Sequence, residues 1–145
     1  MDGGFENPCD ARILEILATP RTFAVVGCSP DPSRDSHRIA RLLLERGHRV
    51  VPVHPQGGEI LDQPVATSLQ NVSEPIDVVD VFRKPDAVSD IVDQTLAVGA
   101  PVLWLQLGVI DENAAERAVA AGVTVVMDRC PAIEYRRLFD TDHHP

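Results

Sequence analysis

The chain has 145 residues, a length that fits one domain with a buried core. Its composition, 44% hydrophobic and 24% charged, is ordinary for a folded protein and excludes general disorder, and no apolar run reaches membrane-spanning length. A net charge of −9 disfavours nucleic acid as a partner, because a polyanion is repelled at long range.

The cysteines and the first ten residues bear on the cellular compartment. Cys9, Cys28 and Cys130 are odd in number and lack zinc-site spacing, so reduced thiols are expected. Residues 1–10 contain three acidic residues and no continuous apolar stretch, which is not a signal-peptide pattern. We therefore expect a cytoplasmic protein, and the sequence leaves a protein partner or a homo-oligomer open.

Short β-branched runs alternate with amphipathic segments along the chain. In chain order they predict helix 10–18, strand Phe23–Val26, helix 36–46, strands Val50–Val53 and Ile76–Val81, helix 86–98, strand Val102–Leu105, helix 111–121, strand Val123–Met127 and helix 132–139. Gly47, Gly99 and Gly122 follow three of these helices, where a left-handed glycine ends a helix. Strands that are apolar on both faces indicate a parallel sheet covered by helices.

The segment between the second and third long strands breaks this alternation. Residues 56–68 are rich in glycine and turn residues and allow only a brief edge strand at Glu59–Leu61 in place of a helix. We predict a single doubly wound α/β domain with a mostly parallel sheet of five to six strands and helices on both faces. Its parts are a leading segment and helix at 1–20, the domain at 21–139 and a flexible tail at 140–145.

The first crossover has the pattern of an anion site. The strand Phe23–Val26 breaks at Gly27, and a polar loop with Ser29 and Arg34 leads to a helix opened by Ser36. A helix N-terminus offers free N–H groups and a positive dipole end, which suit phosphate. The segment from Arg21 to His54 has six arginines and three acidic residues, a local charge of +3, which leaves −12 for the rest.

In an open parallel sheet, ligands bind beyond the carboxyl ends of the strands. This rule predicts that five loops share one rim: 27–29, 54–56, 82–84, 106–108 and 128–130. Phe82 is equally consistent with burial and with stacking on a purine beside Arg83, and His54 has no visible catalytic partner. Trp104 is expected in the core.

No catalytic constellation or metal site emerges from the pattern. Cys130 lies beside Arg129, which can lower a thiol pKa, but no histidine stands at a recognisable spacing from it. Asp140, Asp142, His143 and His144 fall in the predicted tail and are poor candidates for metal ligands. We therefore predict neither a catalytic residue nor a metal.

Six motifs, in their order and spacing, together resemble one known family. They are Val26–Pro30, Gly47–Pro55, Glu59–Leu61, Val79–Arg83, Trp104–Gly108 and Met127–Cys130. In these residues, from about Thr22 to Leu138, the chain resembles the small stand-alone CoA-binding domain proteins. They are similar to the CoA-binding Rossmann domain of the succinyl-CoA synthetase α subunit, so the resemblance implies a Rossmann-like fold that binds CoA or acyl-CoA.

The resemblance also implies where CoA would lie. Its phosphates would rest on Gly27, Cys28, Ser29 and the helix opened by Ser36, with a contact from Arg34. The adenine would lie between Val53, His54 and Pro55 on one side and Phe82 and Arg83 on the other. The pantetheine arm would pass Gln106 and Gly108. His54 replaces the asparagine usual in the family, and Asp62 and Ala66 replace a glycine and a tyrosine. The phosphohistidine domain of the synthetase does not fit within this chain, so ligase chemistry is not expected.

Two other interpretations stay open. An NAD(P)-binding redox sensor or dehydrogenase-like module is possible on the same fold, but the chain lacks a G-x-G-x-x-G fingerprint. It also has His54 where a dinucleotide site wants an acidic residue at the end of the second strand. A thiol enzyme that acts through Cys130 on a CoA thioester is the third.

Overall fold

The computed structural model describes residues 4–140. The helices are α1 (Asp10–Ala18), α2 (Asp35–Glu45), α3 (Val88–Val98), α4 (Glu112–Ala120) and α5 (Pro131–Tyr135). The strands are β1 (Thr22–Val26), β2 (Arg49–Val53), β3 (Glu59–Ile60), β4 (Gln63–Pro64), β5 (Val78–Val81), β6 (Val102–Leu105) and β7 (Thr124–Met127). Among these helices, none has the length and apolar character needed to cross a membrane.

The main sheet has five parallel strands in the order β2-β1-β5-β6-β7. The chain moves from β1 outward to β2, then returns to the other side of β1 and continues through β5, β6 and β7. The connections therefore change direction between β1 and β5, which is the switch point where open α/β sheets bind ligands. The predicted doubly wound, Rossmann-like α/β fold is confirmed.

Helices cover both faces of the sheet and create two apolar layers. One layer contains Val79, Leu103 and Val125 from the strands together with residues of α3 and α4. The other contains Phe23 and Trp104 with residues of α1, α2 and α5. Trp104 is fully buried, and its indole Nε1 donates to the Arg129 carbonyl at 2.9 Å, so its predicted place in the core is confirmed.

The predicted elements are present with small shifts at their ends. Strand Ile76–Val81 begins later, at Val78, and helix 86–98 begins as a 3-10 turn, Pro85–Ala87, before α3. Helix 132–139 is α5 followed by a wider helical turn at Arg136–Asp140. Gly47, Gly99 and Gly122 all have positive φ, as predicted for residues that close helices. Of the predicted flexible tail, residues 141–145 lie outside the described residues.

The brief strand predicted at the edge of the main sheet lies in a separate hairpin. Glu59–Ile60 pairs antiparallel with Gln63–Pro64 as a separate two-stranded hairpin, not as an edge strand of the main sheet. Its turn residues Leu61 and Asp62 have φ of 53° and 62°. A two-residue hairpin turn of this hand requires positive φ at both positions, which explains why glycine suits the position of Asp62.

A buried polar cluster anchors α5 to the rest of the domain. The Tyr135 hydroxyl donates to the Leu17 carbonyl at 3.1 Å and lies 2.8 Å from His48 Nε2. His48 Nδ1 accepts from the backbone N–H of Arg21 at 3.1 Å. Burial lowers the pKa of His48, which keeps the ring neutral near physiological pH. These bonds tie α5 to α1 and β2, so the wall that α5 contributes to the surface beside α2 is held in place.

Candidate functional site

The loop after β1 turns at a position that only glycine fits. Gly27 has φ of +82°, and a Cβ there would lie 2.5 Å from the carbonyl oxygen of Phe82. Its N–H donates to the Val53 carbonyl at 3.0 Å. Gly27 therefore sits directly between the ends of β2 and β5, at the switch point of the sheet.

Side chains from the start of α2 hold this loop in shape. The Ser36 hydroxyl accepts from the backbone N–H of Ser29 at 2.9 Å, and His37 Nδ1 lies 3.1 Å from the Ser29 carbonyl oxygen. Both side chains are buried. The helix starts one residue earlier than predicted, at Asp35, with Arg34 as the preceding residue.

The backbone donors that remain for a ligand differ from those suggested by the sequence. The N–H groups of Gly27 and Ser29 are already bonded within the protein. Across residues 4–140, the N–H groups of Cys28, Asp35 and Ser36 have no acceptor. The anion donors are therefore mainly the first turn of α2, as expected for a helix N-terminus.

Among the arginines of the basic segment, Arg34 lines the surface of this loop. Its side chain is exposed. Arg38 pairs with Asp35, and Arg49 pairs with Glu74 on the opposite edge of the sheet. The local positive charge counted from the sequence is therefore partly neutralised, and Arg34 lines the same surface as the first turn of α2.

Three adjoining clefts meet at Phe82, which lines all of them. The crossover cleft, of about 420 Å³, is lined by Gly27, Ser29, Ser33, Arg34, Asp35, Ser36 and Phe82. The second-strand cleft, of about 520 Å³, includes Gly27, Val53, His54, Pro55, Phe82 and Arg83 in its lining. The α2–α5 cleft, of about 590 Å³, is lined by residues that include Ile39, Leu42, Phe82, Gln106, Leu107 and Ile133.

Nearly all the predicted site residues thus lie on one continuous surface. The exceptions are Cys28 and Gly108. The Cys28 side chain is fully buried, and burial raises the pKa of its thiol to about 12 with a smaller contribution from Asp80. Gly108 lies outside the three clefts, and its N–H donates to Asp128 Oδ1 at 2.8 Å.

Comparison with known proteins identifies the family. The sequence profile of the family described as "CoA binding domain" matches residues 21–136. The chain belongs to this CoA-binding domain family. The match spans β1 to the end of α5 and so contains the residues named above in all three clefts.

The chain is similar to proteins of about its own length and to part of a larger protein. Uncharacterized protein YneT of Bacillus subtilis (strain 168) is 37% identical over 125 residues, which are 86% of this chain and 93% of that protein. The solved structure of cell-free ID.343 from Thermus thermophilus is 38% identical with a TM-score of 0.86, over 91% of this chain and 100% of that one. The dinucleotide forming acetyl-coenzyme A synthetase 1 of Ca. Korarchaeum cryptofilum is 26% identical with a TM-score of 0.68, over 79% of this chain and 28% of that one.

His54, the residue after β2, is half-buried in the second-strand cleft. His54 donates its N–H to the Ala66 carbonyl at 2.9 Å, and its Nδ1 accepts from the Gln56 N–H at 3.2 Å. Both bonds are local and shape the loop after β2. The unprotonated ring nitrogen is therefore used within the protein.

Cys130 lies at the start of α5 and lines the α2–α5 cleft. The histidines with described positions are engaged elsewhere: His37 with Ser29, His48 with Tyr135, and His54 with Gln56. A cysteine–histidine pair, which activates a nucleophilic thiol, is therefore not formed by residues 4–140. No group of side chains suited to a metal ion occurs there either, and Asp142, His143 and His144 lie outside the described residues.

One polar pair in this CoA-binding domain was not predicted from the sequence. Asp80 lies in the central strand β5, fully buried, and its Oδ1 accepts from Gln106 Nε2. Its Oδ2 has no hydrogen-bond partner, and burial raises the pKa of the carboxyl to about 7. The signal was present, since Asp80 is the one charged residue in the apolar run Val78–Val81.

Proposed function

We propose that this protein binds coenzyme A across the three clefts that meet at Phe82. The phosphates lie against the loop at Gly27–Ser29 and the first turn of α2, with Arg34 as the cation. The adenine lies in the second-strand cleft between Val53–Pro55 and Phe82–Arg83, and the pantetheine arm passes Gln106 and Gly108.

The close approach of Gly27 to Phe82 is the observation that carries this proposal. It brings the ends of β1 and β5 together beneath the start of α2, so a ligand at the free N–H groups also touches the clefts on both sides. Membership of the CoA-binding domain family supports CoA over other phosphorylated ligands. Absence of catalysis and a cytoplasmic location stay predictions from the sequence.

Thermal unfolding in the presence of nucleotides tests the proposal directly. A ligand at 100 times its Kd stabilises the folded state by about 2.7 kcal/mol, which in a domain of this size raises Tm by about 5–10 °C. We expect such a shift with CoA and little shift with NAD, NADP or their reduced forms. Dephospho-CoA, which lacks the 3′-phosphate, is the control for recognition of that group. A larger shift with NADH than with CoA would favour the dinucleotide alternative.

The role of Arg34 is tested by the salt dependence of binding. Arg34→Ala is expected to weaken CoA binding about tenfold at low ionic strength, because a charge-assisted phosphate contact is lost. The loss should shrink in concentrated salt, since the Debye length falls from about 30 Å at 0.01 M to about 3 Å at 1 M. Isothermal titration calorimetry at both ionic strengths measures the two losses.

A matched control is available on the helix that follows Arg34. Arg41 is exposed on α2 and lines none of the three clefts. Arg41→Ala removes the same charge and should leave the Kd for CoA nearly unchanged. Equal losses of CoA affinity in the two variants would show that Arg34 makes no phosphate contact. A loss of affinity in Arg34→Ala that does not depend on salt concentration would show the same.

A further inference from the structure

We propose that the α2–α5 cleft binds the acyl chain of a CoA thioester, so that the preferred ligand is an acyl-CoA with an apolar chain of medium length. The inference rests on the proposed function, because the cleft is assigned as the continuation of the CoA site beyond the phosphates.

Continuity between clefts gives the direction of the ligand. Asp35 and Phe82 line both the crossover cleft and the α2–α5 cleft. A chain attached to phosphates at the first turn of α2 therefore reaches the α2–α5 cleft by following the surface of α2. The second-strand cleft lies on the other side of Gly27 and Phe82, which leaves it for the adenine.

The walls of the cleft come from one face of α2 and from α5. Ile39 and Leu42 follow Asp35 at helical spacing, so the same face of α2 that begins at the phosphates becomes apolar within two turns. Ala132 and Ile133 of α5 form the opposite wall. The position of α5 is fixed by the bonds of Tyr135 to Leu17 and His48, so the opening is part of the folded structure.

Exposed apolar side chains converge on this opening. Leu107 is 55% exposed and Ile133 is 40% exposed, and both line the cleft. Single exposed apolar residues are common on protein surfaces, but here they face one concavity of about 590 Å³, a volume in the range of small-molecule sites. Apolar ligand atoms would remove both side chains from water.

The α2–α5 cleft has fewer polar groups than a site that bound only the pantetheine amides would need. After the end of β6, Gln106 is buried, and one N–H of its Nε2 is used by Asp80, so its carboxamide oxygen and its second N–H are what the side chain can offer a ligand. Arg38 and Arg136 contribute charge, and Arg38 is paired with Asp35. The Gln106 carboxamide suits an amide of the pantetheine arm, and the apolar walls suit carbon beyond its sulfur.

Calorimetric titration with a series of thioesters tests this inference. Full burial of a methylene group strengthens binding by about fourfold. We expect affinity to rise from acetyl-CoA through butyryl-CoA to hexanoyl-CoA, by about tenfold or more in total. Succinyl-CoA, which has the same number of acyl carbons as butyryl-CoA but ends in a carboxylate, should bind more weakly than butyryl-CoA. Tighter binding of succinyl-CoA would overturn the inference in favour of recognition by Arg136.

Two leucine variants distinguish an acyl contact in the cleft from the general effect of truncating an exposed leucine. Leu107→Ala should lower the ratio of hexanoyl-CoA to CoA affinity about threefold or more, because the acyl chain loses an apolar contact. Leu96→Ala, a substitution at an exposed leucine of α3 on the other face of the sheet, should leave that ratio unchanged.

The outcomes distinguish this inference from the proposed function. If CoA binds and chain length has no effect, the acyl assignment is wrong and the CoA site stands. If neither CoA nor any thioester binds, the proposed function fails and the acyl assignment fails with it. A ratio that falls equally in Leu107→Ala and Leu96→Ala also overturns the acyl assignment.

Discussion

Replacement of Gly27 by alanine is expected to lower the free energy of unfolding by about 2–4 kcal/mol and to abolish measurable CoA binding. The left-handed φ of +82° costs a residue with a side chain about 1–2 kcal/mol. The added Cβ would also lie 2.5 Å from the Phe82 carbonyl, and relief of such a clash typically costs about 1–3 kcal/mol. Separation of the β1 and β5 ends would displace the N–H groups of the site.

Gly47 provides the control for this experiment. It also has a positive φ, +93°, but a Cβ there would meet nothing within 4 Å. Gly47→Ala should therefore show only the backbone cost of about 1–2 kcal/mol and should bind CoA like the natural chain. Urea unfolding and calorimetry measure both quantities. Similar destabilisation in the two variants, together with retained CoA binding in Gly27→Ala, would contradict the importance assigned to this close approach.

Replacement of Asp80 by asparagine is expected to remove a large pH dependence of stability. Burial raises the pKa of Asp80 from 3.8 to about 7 in the folded state. Between these values the folded protein holds a proton that the unfolded chain has released, so stability decreases as pH rises. The contribution of Asp80 is fully present below about pH 4 and is lost as pH rises through about 7, a change on the order of 4 kcal/mol.

Comparison between variants isolates this effect from other groups. The lowered pKa of His48 acts in the opposite direction, since its contribution is present above its unfolded pKa and is lost as pH falls. The difference in unfolding free energy between Asp80→Asn and the natural chain, followed by urea titration from about pH 4 to 8, cancels the His48 contribution.

Asp86→Asn removes the same charge from an exposed site and is the matched control. We expect it to keep the pH profile of the natural chain. If Asp80→Asn shows a profile parallel to both, the carboxyl of Asp80 titrates at the same pH in the folded and unfolded states, and its buried, unpartnered oxygen has no energetic effect. If the stability of Asp80→Asn relative to the natural chain increases between about pH 4 and 7 and then levels off, the assignment is supported.

Local patterns in the sequence predicted most of the fold. Helix 10–18 and strand Val102–Leu105 have the predicted bounds in the structure. These elements depend on periodicity and end signals within a few residues, and such signals can be read from neighbours in the chain. The brief strand at Glu59–Leu61 was assigned to the wrong sheet, because strand pairing depends on a partner that the local pattern does not name.

The candidate site was predicted in outline for a similar reason. The carboxyl-end rule located Gly27, His54, Phe82 and Gln106 in one region, since all parallel strands end at the same edge. It could not indicate that the N–H of Ser29 is bonded to Ser36, which removes it from the donors available to phosphate. Nor could it indicate that Cys28 faces the core.

The sequence by itself determined the alternation of strands and helices, the sharp turn at Gly27 and membership of the CoA-binding domain family, because each of these follows from residue type, spacing and order. Only the tertiary structure decided that three clefts meet at Phe82, that Asp80 is buried with an unpartnered oxygen, and that α2 and α5 enclose an apolar opening. Burial and hydrogen bonding depend on residues that are distant in the chain and become neighbours only when the sheet assembles.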